Sequence, residues 1–252
     1  MFSKPLEKYI NSLRVKKYRQ EHQCFVAEGE KIVNEILRSS FLVDKILFTD
    51  KLKDKGMIMG KVAEEHLVVV EEHEMKKISE LQTPPSVLAL VHLPKNKIDI
   101  SQLTTGVHLV LDGIQDPGNM GTIIRIADWF GIENIFCSEN CVDAYNPKVV
   151  QACMGSIVRV KMFEKNIVEV LSQSPLPKIL TLMESEQTIY NNNLPENALI
   201  VIGSEGKGVS EEVKQLCNYS ISIPKFGKAE SLNAAVATGI ICATFFEKRF
   251  IK

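Results

Sequence analysis

Apolar residues along this chain follow two periods in turn, and the alternation predicts the elements. Short runs at Phe25-Val26-Ala27, Val43-Asp44-Lys45-Ile46-Leu47-Phe48, His66-Leu67-Val68-Val69-Val70 and Val87-Leu88-Ala89-Leu90-Val91 read as strands, the third of them buried. Helical spacing covers 6–21 and 72–80, and it recurs after Glu28-Gly29-Glu30-Lys31, where Ile32, Val33, Ile36 and Leu37 share a face. The polar stretch Lys51 to Glu65 is expected to be helical as well. Thr83-Pro84-Pro85 breaks the chain before the fourth strand. These elements predict a small α/β domain over residues 1–94, followed by a polar linker over 95–105.

From 106 to 252 the pattern changes to regular strand–helix alternation. Strands are expected at 107–112, 134–138, 178–183, 198–203 and 219–223. Helices are expected at 121–130, 147–154, 164–173, 210–217 and 231–248. Such alternation argues for a mostly parallel sheet covered on both faces. Gly131 suits a helix stop, and Ser210 before Glu211 and Glu212 suits a helix start. The last helix is apolar nearly all round, so it is either a central core helix or one that packs on a partner subunit.

Composition narrows the class. The chain has 252 residues, 45% of them hydrophobic and 24% charged, as in an ordinary globular protein. No apolar run approaches the roughly 18 residues of a membrane span, and Met1-Phe2-Ser3-Lys4-Pro5 starts no signal-peptide core. Six scattered cysteines suit reduced thiols in the cytoplasm. They and the five histidines form no zinc set. Net charge is −1, but residues 1–20 carry Lys4, Lys8, Arg14, Lys16, Lys17 and Arg19 against Glu7 alone, with Tyr9 and Tyr18 among them. That arm either contacts RNA phosphates and bases, through Arg14, Lys16, Lys17 and Arg19 above all, or is a solvated basic helix.

Candidate chemistry sits in three glycine-punctuated loops, each between an apolar run and a helical run. They are Gln115-Asp116-Pro117-Gly118-Asn119-Met120-Gly121, Gly203-Ser204-Glu205-Gly206-Lys207-Gly208, and Ile223-Pro224 through Glu230-Ser231-Leu232-Asn233. Strand–loop–helix junctions are where α/β proteins place ligand sites, so the three are expected to form one composite site. In the first, Asp-Pro-Gly-Asn is turn chemistry, and Arg125 beyond it is a cation among Ile123, Ile124, Ile126 and Trp129. A cation near a helix N-terminus is electrostatically misplaced, which points to an anionic partner. The alternative is a structural pair with Asp112, Asp116 or Asp128. The second loop has the spacing of neither a phosphate loop nor a dinucleotide fingerprint, and it leaves Glu205 as a carboxylate on bare backbone. In the third, Ser231 and Asn233 lie at or near a helix cap.

Asn119-Met120-Gly121-Thr122-Ile123-Ile124-Arg125 has the form N-x-G-x-x-x-R, and the other two loops supply the following blocks in order. The chain thereby resembles the SpoU/TrmH branch of the SPOUT superfamily, RNA ribose 2′-O-methyltransferases, over about residues 106–250. Residues 20–92 resemble, less specifically, that family's substrate-binding domain. The resemblance implies a trefoil-knotted C-terminal domain, a homodimer, and S-adenosylmethionine bound at Thr181, Leu182, Met183, Gly203, Glu205, Gly206, Ile223, Ser231, Leu232 and Asn233. It implies Arg125 as the catalytic residue, with Asn119, Glu205, Ser231 and Asn233 around it, no metal, and ribosomal or transfer RNA as substrate. Arg125 would act either as a base relaying its proton to a phosphate or as a cation. Ser204, Gln151 and Cys153 stand where the family often has Asn, Arg, and Ser or Thr, and the loss of Arg at 151 bears on substrate choice. A non-catalytic RNA-binding or ribosome-assembly protein and a base methyltransferase of the same superfamily are the rival readings.

Overall fold

The structure is a computed structural model, and it describes residues 2–190, 194–204, 206 and 208–250. Two compact units divide the chain: Met1–Lys95 with Asp143–Val158, and Asn96–Val142 with Arg159–Lys252. In chain order the elements begin with α1 (Lys4–Ser12), α2 (Lys16–His22), β1 (Cys24–Glu28), α3 (Glu30–Leu37), β2 (Val43–Phe48), β3 (Leu67–Val69), α4 (Glu72–Ile78) and β4 (Val87–His92). There follow β5 (Val107–Asp112), α5 (Pro117–Trp129), β6 (Asn134–Cys137), α6 (Pro147–Ala152), β7 (Lys161–Glu164), α7 (Ile167–Gln173), β8 (Lys178–Leu182), β9 (Ala198–Gly203), α8 (Glu211–Gln215), β10 (Tyr219–Ser222) and α9 (Ala234–Phe250).

The first unit is a four-stranded sheet in the order β1-β4-β2-β3, with β4 antiparallel to both neighbours and β2 parallel to β3. Successive strand residues point to opposite faces. Phe25, Ala27, Ile46 and Phe48 therefore pack with Ile32 and Ile36 of α3 and Val150 of α6. Val26, Leu47, Leu88 and Leu90 pack on the other side with Ile10, Leu13 and Met75. Two expectations fail here. Lys51 to Glu65 forms only brief 3-10 turns at Lys55–Met57 and Glu64–His66: Gly56 and Gly60 interrupt it, and its buried residues Leu52, Met57 and Ile58 join the core without keeping a helical period. The strand expected at 66–70 is short, and Val69 is 61% exposed, so it is an edge and not a buried strand.

The helix expected over 6–21 is broken into α1 and α2. Val15 takes an extended conformation (φ −98°, ψ 131°) and separates the two helices. Arg19 explains the break. Its guanidinium donates to the carbonyls of Leu13 (2.7 Å) and Arg14 (2.8 Å), which α1 leaves free, and to Asp143 from Nε (2.7 Å). A helix end needs such partners for its last carbonyls.

In the second unit all six strands are parallel, in the order β10-β8-β9-β5-β6-β7. β7 had no signal in the sequence: it is a four-residue edge strand in which only Met162 and Phe163 are buried. Helix α9 packs along α5, with the Phe130 and Phe246 rings 5.4 Å apart between centroids. Because every strand runs the same way, the C-terminal ends of β5, β8, β9 and β10 share one edge, and Asp112 stands in register with Gly203, Leu182 with Ser222. Among the described residues, no helix is long and apolar enough to cross a membrane, and no cluster of three His, Cys, Asp or Glu is placed for a metal.

His108 is a buried residue of β5 and a neutral imidazole. Nε2 donates to the Thr105 carbonyl (3.0 Å) and Nδ1 accepts from the Asn134 amide (3.1 Å). Burial lowers its pKa below 6.5. The unfolded chain therefore binds this proton more readily, so the contribution is full above about pH 6.5 and is lost as pH falls from there toward the folded pKa. Urea denaturation against pH is expected to show a smaller loss on that acid side in His108→Gln than in the unaltered protein.

Candidate active site

The three loops leave the sheet at its C-terminal edge and meet there. In the first, Asp116 is a helix N-cap, accepting from the Asn119 amide at 2.7 Å, with Pro117 opening α5. The expected turn at 115–121 is thus the first turn of the helix, since Pro at the first position presets its φ. Arg125 consequently lies about two turns in, and Gly131 (φ 68°) follows the helix end as expected. Arg125 is exposed and, among the described residues, forms no side-chain hydrogen bond or ion pair. The three carboxylates weighed as structural partners are engaged elsewhere: Asp112 accepts from the Ser210 amide, Asp116 caps α5, and Asp128 binds Arg159 at 2.9 Å.

In the second loop, Ser204 and Gly208 exchange backbone hydrogen bonds of 3.2 and 2.9 Å. A Cβ on Gly203 would lie 2.5 Å from the Gly208 carbonyl carbon, so only glycine lets the backbone pass. Glu205 lies outside the described residues. In the third loop the cap is Asn233, whose Oδ1 accepts from the Ala235 and Val236 amides at 3.0 and 3.2 Å. Ser231 lies three residues before α9, and the cap is supplied by Asn233 instead. The Asn233 amide also donates to Asn119 Oδ1 at 2.8 Å, which ties the third loop to the first.

Between the second and third loops and the end of β8 lies a cavity of about 560 Å³. Thr181, Leu182, Met183, Gly203, Gly206, Ile223, Ser231 and Leu232 all line it, and Ile202, Val209, Ile221 and Ile241 give it apolar walls. Asn233, Asn119 and Arg125 are not among its lining residues; the Asn233–Asn119 bond links them to its rim. Lys214, Lys225 and Phe226 also line it and were not singled out in the sequence, and Glu230 lines it beside Ser231.

The basic arm divides. Arg19 was expected to contact RNA, but its side chain is 2% exposed and bound to Asp143, which removes it from that role. Arg14 is partly engaged by Glu80 at 3.3 Å and the Ser79 carbonyl. Lys16 is half-buried and makes an interaction of its own. Lys17 is exposed, 5.9 Å from the centroid of the Tyr18 ring, which in turn stacks on His22.

Residues 106–243 match the model of the SpoU rRNA methylase family, and residues 4–89 match an MRM3-like substrate binding domain. The chain belongs to the SpoU rRNA methylase family. Among its relatives is the 23S rRNA (guanosine(2553)-2′-O)-methyltransferase RlmP of Bacillus subtilis, 28% identical over 91% of each chain. A solved TrmH-family structure from Porphyromonas gingivalis is 36% identical, with a TM-score of 0.86 over 98% of this chain and 99% of that one. The AdoMet-bound rRNA methyltransferase of Sinorhizobium meliloti shares the fold at a TM-score of 0.87, with 23% identity over 98% of this chain and 96% of that one. In a SpoU methylase the narrow pass at Gly203 has a direct consequence. Gly203→Ala is expected to weaken S-adenosylmethionine binding by calorimetry and to cost about 1–3 kcal/mol in urea denaturation, the usual penalty of overpacking. Unchanged binding would show that the loop adapts.

Proposed function

We propose that this protein transfers a methyl group from S-adenosylmethionine to a ribose 2′-hydroxyl of RNA, with ribosomal RNA as the favoured substrate. The observation that carries the reading is the Asn233–Asn119 hydrogen bond, which joins the helix bearing Arg125 to the loop that lines the 560 Å³ cavity. The volume is within the range of small-molecule sites, roughly 300–1,000 Å³. Apolar walls suit an adenine ring, while backbone edges at Gly203 and Ile223 and the Ser231 hydroxyl suit its polar atoms and the ribose. The favoured donor among relatives of this family, S-adenosylmethionine, supplies an electrophilic methyl on a sulfonium.

This chain's residues then perform two tasks. The loops hold the hydroxyl and the methyl in line, a positioning effect. Arg125, with no side-chain partner among the described residues, binds the phosphate beside the target ribose and either takes the hydroxyl proton and relays it to that phosphate or, as a cation, stabilises the oxygen as its proton passes to water. Asn119 and Asn233 fix the helix start against the cofactor loop, and Glu205 and Ser231 complete the surroundings. RNA affinity comes from the first domain, residues 1–94, and its basic arm through Arg14, Lys16 and Lys17, with 95–105 as connection and 106–252 as the methyltransferase domain. The same reading gives the second domain a trefoil knot, supported by the strand order β10-β8-β9-β5-β6-β7 with α9 returning onto α5. It makes the protein a homodimer, supported by Trp129 (85% exposed) and Val236 (51% exposed) on that helix pair. It works in the cytoplasm, where its six free cysteines stay reduced.

The test is transfer of labelled methyl from S-adenosylmethionine to total RNA from a strain lacking the protein, followed by nucleoside mass spectrometry. A labelled 2′-O-methyl nucleoside in the ribosomal fraction is expected. A base-methylated product, or cofactor binding with no transfer, would overturn the reading in favour of a base methyltransferase or a non-catalytic RNA-binding protein.

A further inference from the structure

Phenylalanine is rarely left bare, yet Phe226 is 99% exposed. Every other phenylalanine whose side chain is described is buried or half-buried. Phe226 sits in the loop between β10 and α9 and lines the mouth of the cavity. Lys225 and Lys228 flank it, both exposed, and Gly227 beside it has no atom within 4 Å of the space a Cβ would take. The result is a bare aromatic face at the cavity, with the exposed cation Lys225 beside it on the cavity lining and a second, Lys228, two residues on.

We infer that Phe226 is a stacking platform for an RNA base at or next to the methylated nucleotide, with Lys225 and Lys228 holding the adjoining phosphates. An RNA helix displays its 2′-hydroxyls along the minor groove, but a methyl donor recessed in a cavity is reached more closely by a nucleotide drawn out of its stack. An aromatic face at the entrance replaces the stacking that is lost. Lysines on either side neutralise the backbone that bends with it. The ring has no hydrogen-bond donor or acceptor, so it holds any base and contributes RNA affinity without choosing the nucleotide. A protein partner would also cover an apolar side chain, but Lys225 on the cavity lining and the exposed Lys228 two residues beyond the ring favour a polyanion.

This inference rests on the methyl-transfer reading, and the experiment separates the two. Phe226→Ala, Phe226→Leu and Phe226→Tyr are compared with the unaltered protein for three properties: S-adenosylmethionine affinity by calorimetry, the concentration of unmethylated rRNA giving half-maximal transfer, and sedimentation. Expected are unchanged cofactor affinity and sedimentation, and a half-saturating RNA concentration raised about 5- to 100-fold in Phe226→Ala and Phe226→Leu. Phe226→Tyr is expected to restore it, and the methylated nucleotide to stay the same. No transfer by the unaltered protein would overturn the methyl-transfer reading itself. Transfer with equal RNA dependence in Phe226→Ala would overturn the platform alone. A loss confined to cofactor affinity would make Phe226 part of the cofactor pocket, and altered sedimentation would make it an interface residue; either outcome overturns the platform.

Discussion

Arg125→Ala is expected to lower the rate of methyl transfer to RNA by about 10²- to 10⁴-fold while leaving S-adenosylmethionine affinity nearly unchanged, the range lost with one charge-stabilising or proton-transferring group. The side chain is exposed, makes no ion pair among the described residues, and lies outside the lining of the cavity. Its removal therefore leaves no buried carboxylate unpaired and no hole in the cofactor site, so stability by urea denaturation should hold. Arg125→Lys separates the two roles open to it. A cation that binds phosphate keeps much of its effect as lysine, with the pH–rate profile unmoved. A base shifts that profile downward, because lysine gives up its proton more readily than arginine. Full activity in Arg125→Ala would remove the residue from the mechanism.

How much of this site was legible in the sequence depended on the kind of signal. The three loops could be read because glycine, proline and asparagine at strand ends are local punctuation, and the parallel sheet followed from alternation. Which side chains meet across the loops was not local. The Asn233–Asn119 bond spans 114 residues, and only the register of four parallel strands brings its ends together. Periodicity also misassigned the first loop, since Asp116-Pro117 serves equally as a turn and as a helix N-cap with proline behind it. Lys51 to Glu65 failed for the converse reason: polar composition without an apolar stripe gave no period to read. Exposure of Phe226 is a property of the fold, for nothing in Ile223-Pro224-Lys225-Phe226-Gly227 distinguishes a bare phenylalanine from a buried one.

The same limit applies to Arg19, where the largest change in stability is expected. In sequence it is one of six cations in a basic arm; in the structure its side chain is 2% exposed and binds Asp143, 124 residues away, as well as the carbonyls of Leu13 and Arg14. Asp143 belongs to the segment 143–158 that packs with the first unit, where Val150 joins the core and Tyr145 lies 5.0 Å from Phe25 between ring centroids. Arg19→Ala leaves Asp143 and two carbonyls without their partner, and loss of one member of such a buried pair costs about 3–5 kcal/mol. Asp143→Ala should cost a similar amount by stranding the guanidinium. The pair itself contributes much less than either loss, because burying both charges has already removed their hydration. Arg19→Met with Asp143→Leu is therefore expected to recover most of the stability in urea denaturation, with RNA binding intact. If Arg19 instead served RNA, Arg19→Ala would leave unfolding unchanged and weaken binding, and the double variant would rescue nothing.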